Sequence, residues 1–407
     1  MNANQDTPQT IQPFPLARVL SGACLLNLAL VLLAGCAQTP EAVSPDREST
    51  VLEARERGEP RNLDAAVWRR PALSYSGFRA GQSPASRHPS REEILEDLHI
   101  VKAAGFGLIR VFSSGEHGRA VVELIDEHGL DLHVQVGAYV SGSDAENGAE
   151  NDRELQGAID LAREFPEIVR AVSVGNETLV SWSFVAVPPE DMIRYIRRVR
   201  HQITQPVTVN DNWEPFAAEP GSALAMVWRE IDYASVHTYA YWDAAFNLWD
   251  FRQTDVPEER RARAMMDAAF AYARENFEAV RRALDADGNP IPIVIGETGW
   301  QSVPSAFLHE AFVQDFAVHQ AHPVNQAWYF EDVMAWAYGA ERGSPGDGFA
   351  RPAAIFYFAA FDEPWKQADD NWGLWDADRR EKFVLSGETY APEDAVFYQA
   401  VRTSPSE

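Results

Sequence analysis

The sequence predicts a TIM barrel, a (β/α)₈ fold of the α/β class, carrying one catalytic domain behind an N-terminal leader and tether. Three observations lead there. From Leu73 onward, eight short β-rich runs alternate with helical patterns, and alternation of that length closes a parallel sheet into a barrel. The first run is followed by no Gly-x-Gly-x-x-Gly and the chain holds no phosphate loop, so the competing nucleotide-binding open sheet loses its support. Several runs end in carboxylates, amides and aromatics, where a barrel keeps its chemistry.

The leader comes first. Val19 to Gly35 is an apolar run preceded by Arg18, marginal for a membrane span and matched to a signal-peptide core. It ends Leu33-Ala34-Gly35-Cys36, which resembles the bacterial lipobox. The resemblance implies removal of residues 1–35 as a signal peptide and a thioether-linked diacylglycerol on Cys36. Ala37, in place of Asp, points to the outer membrane of the cell envelope. The long n-region departs from the pattern, with Asp6 and a single basic residue; an ordinary signal peptide or an uncleaved anchor is the alternative. The chain has two cysteines, Cys24 and Cys36, so a domain beginning at Cys36 has no disulfide, thiol nucleophile or cysteine metal site. Residues 36–70, rich in Pro, Glu, Arg and Ser, read as a flexible tether. Residues 71–407 form the catalytic domain.

The eight expected strands are Leu73–Phe78, Gly107–Phe112, Asp131–Tyr139, Ile168–Asn176, Pro206–Asp211, Ile231–Tyr239, Ile291–Trp300 and Ala353–Phe361. Amphipathic stretches lie between them. In Ser90–Ala104, Ser90 and Glu93 form a capping box, Ile94, Leu95, Leu98 and Val101 make an apolar stripe, and Gly105 ends the helix. Ala240–Val256, with Tyr241, Trp242, Phe246, Trp249 and Phe251, reads as an insertion after the sixth strand. The chain shows no repeat of 20–50 residues.

Composition bounds the function. Apolar residues make up 46% of the 407, which excludes wholesale disorder. Against 35 Lys plus Arg stand 61 Asp plus Glu, a net charge of −26. Such a surface repels phosphate backbones, so nucleic acid is not an expected partner. It suits a neutral or cationic ligand. Eleven of the twelve Trp follow residue 180, on the side of the chain that bears most of the candidate site.

The strand ends supply that site. Strand four ends Val174-Gly175-Asn176-Glu177, strand six His237-Thr238-Tyr239, strand seven Ile295-Gly296-Glu297-Thr298-Gly299-Trp300, and strand eight Phe361-Asp362-Glu363-Pro364-Trp365-Lys366. A carboxylate directly after an apolar strand points into the barrel mouth. Two that face each other there can hydrolyse a glycosidic bond, one protonating the leaving oxygen and the other attacking the anomeric carbon or activating water. Singly, Glu177 and Glu297 read as ordinary loop acids in an acidic chain. Their joint pattern, with aromatics beside both, raises them above that.

At these residues the sequence resembles the clan A glycoside hydrolases, and within them the bacterial branch of glycoside hydrolase family 17. The resemblance rests on Ser74-Tyr75-Ser76-Gly77-Phe78-Arg79 with Gly81-Gln82, on the blocks holding Glu177 and Glu297, and on Phe361–Lys366 with Asn371-Trp372-Gly373-Leu374. It implies retaining chemistry on β-1,3-glucan of the laminarin type, with Glu177 as acid/base and Glu297 as nucleophile. It further implies that Asn176 bonds the 2-hydroxyl of the bound sugar, that Tyr239 holds the nucleophile, and that Glu363 and Lys366 form an acid–lysine pair at the rim. The spacing agrees: Glu297 follows Glu177 by 120 residues, three strand–helix units of about 40 residues each. Lys366 with Glu363 is also readable as a simple salt bridge. Trp300 is expected to offer its indole face to a sugar, and Tyr75 to line the substrate site. Arg110, ending strand two, stands as a partner of the nucleophile or of a neighbouring acid, with nothing to choose between them.

The ten His offer no metal spacing, His319 with His322 reading as a solvated helix end. Two-carboxylate hydrolysis needs no cofactor, and neither cofactor nor metal is expected. The expected partners are a β-glucan and, through lipid, a membrane; the expected state is a monomer. A glucanosyltransferase using the same covalent intermediate is the alternative enzyme, and a noncatalytic glucan-binding lipoprotein the alternative outside enzymes.

Overall fold

A computed structural model describes residues 58–304, 320–339, 350–386, 389–390 and 401–402. The eight strands β1 (Ala72–Ser74), β2 (Leu108–Val111), β3 (His133–Ala138), β4 (Val169–Asn176), β5 (Val207–Asn212), β6 (Ala234–His237), β7 (Ile293–Thr298) and β8 (Ile355–Tyr357) close into a barrel in chain order. All pairings are parallel, and β8 returns to β1 through Ala72 opposite Phe356. Each expected run encloses one strand or misses it by one residue, β1 beginning one residue early at Ala72 and β5 ending one late at Asn212. Most runs overshoot the strand's C-terminal end. Apolar loop residues such as Phe358 and Phe361 are buried over the barrel rim, so the hydrophobic pattern outlasts the hydrogen-bonded ladder.

Helices cover the outside of the sheet. In Arg91–Ala103 the Ser90 hydroxyl accepts from the Glu93 N–H at 3.2 Å and Glu93 accepts from the Ser90 N–H at 2.8 Å. Ile94, Leu98 and Val101 are buried against the barrel, and Gly105 leaves the helix at φ +88°, as the capping pattern predicts. Ala240–Val256 opens with a short helix, Ala240–Ala245, that buries Tyr241 and Trp242.

The barrel interior changes character along its axis. At the N-terminal end, Trp68 and Val67 pack with Ala72, Leu108, Ala171, Tyr233, Val294 and Phe356. The Trp68 ring meets Tyr233 edge-on at 5.1 Å and Phe356 at 6.1 Å. Above this floor lies a polar layer, where Tyr233 donates to Gln135 at 2.8 Å and Gln135 donates to Asn210 at 3.1 Å.

The floor corrects the expected tether. Residues 61–70 are docked rather than loose. The Arg61 N–H donates to Asp232 at 2.8 Å, and its guanidinium donates to the carbonyls of Gln205 and Arg200 at 2.6 and 2.7 Å. Asp64 pairs with Arg170 at 2.8 Å and caps the turn Ala65–Trp68. The leader with Cys36 and the tether through residue 57 lie outside the described residues.

Candidate active site

The mouth is built where the strand ladders lose their regular step. Register shifts fall between Ser173 and Asn176 on β4, between Val236 and His237 on β6, and between Ile295 and Thr298 on β7. An extra residue re-aims the side chains beyond it. On β7 both Gly296 and Glu297 thereby serve the interior. A Cβ on Gly296 would lie 2.4 Å from Ser235 Oγ, so the position before the carboxylate has room for hydrogen only. Glu297 then reaches the centre of the mouth.

Glu297 is buried and held on three sides. Tyr239 donates to Oε2 at 2.6 Å, Arg110 donates to Oε1, and His237 Nε2 lies 3.7 Å from Oε1. Burial pushes the carboxyl's pKa up; His237, the Arg110 guanidinium and the Tyr239 hydroxyl outweigh it and hold the group down, to about 2. Glu297 is therefore a fixed carboxylate. Arg110 is itself almost fully buried, and donates also to Asn176 and, at 3.2 Å, to the Gly296 carbonyl. Its two candidate partners resolve in favour of Glu297, with Asn176 as the second.

Glu177 faces Glu297 across the ring of His237. His237 Nδ1 and Glu177 Oε1 are 3.2 Å apart. One oxygen from each carboxyl and a His237 ring nitrogen all lie within 4.8 Å of one another. Arg110 already holds the inner oxygen of Glu297 and would repel a cation there, so the cluster is a carboxyl pair with an imidazole wedged between rather than a metal centre. Glu177 sits at φ +51°, a left-handed conformation unusual outside glycine, and its N–H donates to the Asn210 carbonyl at 2.9 Å.

Of the expected site residues, Glu177, Glu297, Asn176, Tyr239 and Arg110 converge. Glu363 and Lys366 form the salt bridge, at 2.6 Å, on the rim between β8 and β1. Ser76 donates to the same carboxylate, and Lys366 Nζ lies 4.3 Å from the Phe358 ring centroid. Two expectations fail. Trp300 is buried in the core, its indole N–H donating to the Gln320 carbonyl at 2.6 Å and its ring packed on Tyr241 and Tyr329. It offers no face to a sugar. Tyr75 is likewise fully buried, with its hydroxyl bonded to Asp97 at 3.2 Å and its ring stacked on His117.

Sequence reasoning gives no role to His237 or Asp211. His237 had a usable signal: strand side chains repeat every second residue, so a Tyr239 aimed at the nucleophile places His237 on the same face. Asp211 had none, because its neighbour Asn210 takes the inward position.

The family model of the BtgE/BtgC glycoside hydrolase domain matches residues 72–374, from the start of β1 to beyond β8. A glucan 1,3-beta-glucosidase of Arthroderma benhamiae is 24% identical over 332 residues, covering 77% of this chain and 90% of that protein. An endo-laminarinase from Formosa Hel1_33_131 superposes with a TM-score of 0.67 at 25% identity, covering 83% of this chain and 90% of that one. A beta-1,3-glucanase and allergen of Cryptomeria japonica pollen shares the fold at 15% identity, with a TM-score of 0.52 over 77% of this chain and 97% of its own. The chain belongs to the BtgE/BtgC glycoside hydrolase family.

Proposed function

We propose that the chain is a retaining glycoside hydrolase of family 17 type that cleaves β-1,3-glucan by double displacement. The observation that carries the mechanism is the separation of the two carboxyls. Retaining enzymes hold theirs roughly 5–5.5 Å apart and inverting enzymes roughly 6.5–9.5 Å; one oxygen of Glu177 and one of Glu297 lie within 4.8 Å of each other, which supports the shorter spacing. The substrate rests on the Arthroderma and Formosa proteins, whose names specify a 1,3-β-glucan and laminarin.

In the first step the Glu177 carboxyl gives its proton to the glycosidic oxygen while Glu297 bonds to the anomeric carbon. The bond to the leaving sugar breaks, leaving a glycosyl–enzyme ester. Arg110 and Tyr239 keep Glu297 ionised and aimed for that attack. In the second step water attacks the same carbon, Glu177 takes its proton, and Glu297 leaves as the carboxylate. Asn176, held by Arg110, is placed for the sugar's 2-hydroxyl.

The test is the anomer released from laminari-oligosaccharides, read by proton NMR before mutarotation. A β product supports two displacements; an α product overturns them. Products longer than the substrate would identify a glucanosyltransferase on the same intermediate. A Glu177→Ala variant should keep activity on an aryl glucoside with a good leaving group, lose it on oligosaccharides, and yield a β-glucosyl azide when azide is added. We also propose that Cys36 carries a lipid that anchors the protein at the outer membrane. Cys36→Ser should release it from the membrane fraction, and retention there would mean that the leader is an uncleaved anchor.

A further inference from the structure

Braced against the turn that carries Glu177 is a second carboxyl that the mechanism above does not use. Asp211, near the end of β5, is fully buried. Its Oδ2 accepts from the Leu179 N–H at 2.8 Å and its Oδ1 from the Asn212 N–H at 2.9 Å. The adjacent Asn210 carbonyl accepts from the Glu177 N–H at 2.9 Å. Two consecutive residues of β5 therefore staple both flanks of the turn Glu177–Leu179. A non-glycine residue in left-handed conformation is strained and persists where its surroundings over-determine it. These two bonds do so here.

We propose that Asp211 is a positioning residue for Glu177: it fixes the turn that aims the acid/base into the mouth, and its charge opposes ionisation of that acid. The proposal rests on the reading of Glu177 as acid/base. Two buried acids in one low-dielectric site resist joint ionisation, so the pair retains a proton to higher pH than either acid alone. Burial raises the Asp211 carboxyl to about 7, the charge of Glu177 adding to the rise while the two N–H donors and His237 oppose it. The ionisable groups acting on Asp211 are Glu177, just past β4, and His237 of β6, whose ring is also within 3.7 Å of Glu297 of β7. The arrangement keeps a proton available beside Glu297, whose carboxyl is held down to about 2.

Asp211→Asn keeps the shape and one acceptor and removes the charge. The alkaline limb of kcat/KM on laminari-oligosaccharides should move to lower pH by about one unit, with KM little changed. On an aryl glucoside with a good leaving group, where the first step needs no proton, kcat should fall less than threefold. An unmoved alkaline limb overturns the inference. Glu177→Gln separates this from failure of the underlying reading. If the limb survives in Glu177→Gln, Glu177 is not the acid; if it vanishes there yet stays put in Asp211→Asn, only the role of Asp211 fails. A second measurement needs no variant to fold. Carboxyl carbon-13 NMR of the wild-type protein should show Glu177 and Asp211 each titrating in two steps at common midpoints, and independent single-step curves overturn the coupling.

Discussion

The two ends of the barrel solve opposite problems with the same eight strands. The floor is apolar and close-packed at its centre, Trp68 filling the ring of strand starts, and its charges stand around that centre in matched pairs, as Arg200 does with Asp232 and Arg170 with Asp64. The mouth buries Arg110, Glu177, His237, Asp211 and Glu297 within a few ångströms, with Glu177 in a left-handed conformation and the sheet register shifted three times. Burying charge is costly, and buried ionic clusters are weak sources of stability. The fold's stability therefore resides in the floor and outer core, and the mouth draws on it to hold a geometry suited to reaction.

That contrast can be broken from either end. The largest effect should come from Glu297→Gln, which preserves an acceptor for Arg110 and Tyr239 but cannot form the ester. Turnover should fall by more than about 10⁴-fold, while calorimetry shows a midpoint within a few degrees of wild type. A large loss of stability would mean that the mouth supports the fold after all. Next is Trp68→Ala, which empties the floor. Denaturant unfolding should show a loss of about 3–5 kcal/mol, with kcat of the remaining folded protein unchanged. A lower kcat at full folding would show that the two ends communicate.

Tyr239→Phe is the intermediate case. It removes one hydrogen bond to a charged group, about 1.5–3 kcal/mol, so kcat should drop about 10- to 100-fold with little change in KM. The smallest effect concerns His117, stacked between Tyr75 and Phe78 beside the mouth. Burial, helped by His88, lowers its ring from 6.5 to about 4. The unfolded chain takes up a proton near 6.5 that the folded one refuses until about 4. The stability tied to the neutral ring is thus complete above 6.5 and is lost as pH falls toward 4. His117→Phe should flatten the dependence of the melting temperature across that window. An unchanged slope would assign it to other groups.

Much of this was legible in the sequence, for physical reasons. Barrel strands buried on both faces read as apolar runs, and a carboxylate just beyond such a run has nowhere to point but the mouth. Glu177 and Glu297 were visible for that reason, and Arg110 was visible as a charge closing an apolar strand. Trp300 and Tyr75 were not, because an aromatic after a strand fits a core wall as well as a binding face, and a bulge changes which one it meets. The docked segment 61–70 was hidden by its composition. Its polar partners lie between 61 and 171 residues away, at Asp131, Arg170, Arg200, Gln205 and Asp232, beyond any local pattern. Asp211 was hidden by alternation, since it leaves the inward row to brace a neighbouring turn.

The docking of Arg61 and Trp68 beneath the floor also sets a direction. The described polypeptide reaches the barrel at the closed end, opposite Glu177 and Glu297. Whatever pulls on the chain ahead of residue 58 therefore pulls from behind, and the load falls on the Arg61 and Trp68 contacts while the mouth stays unobstructed.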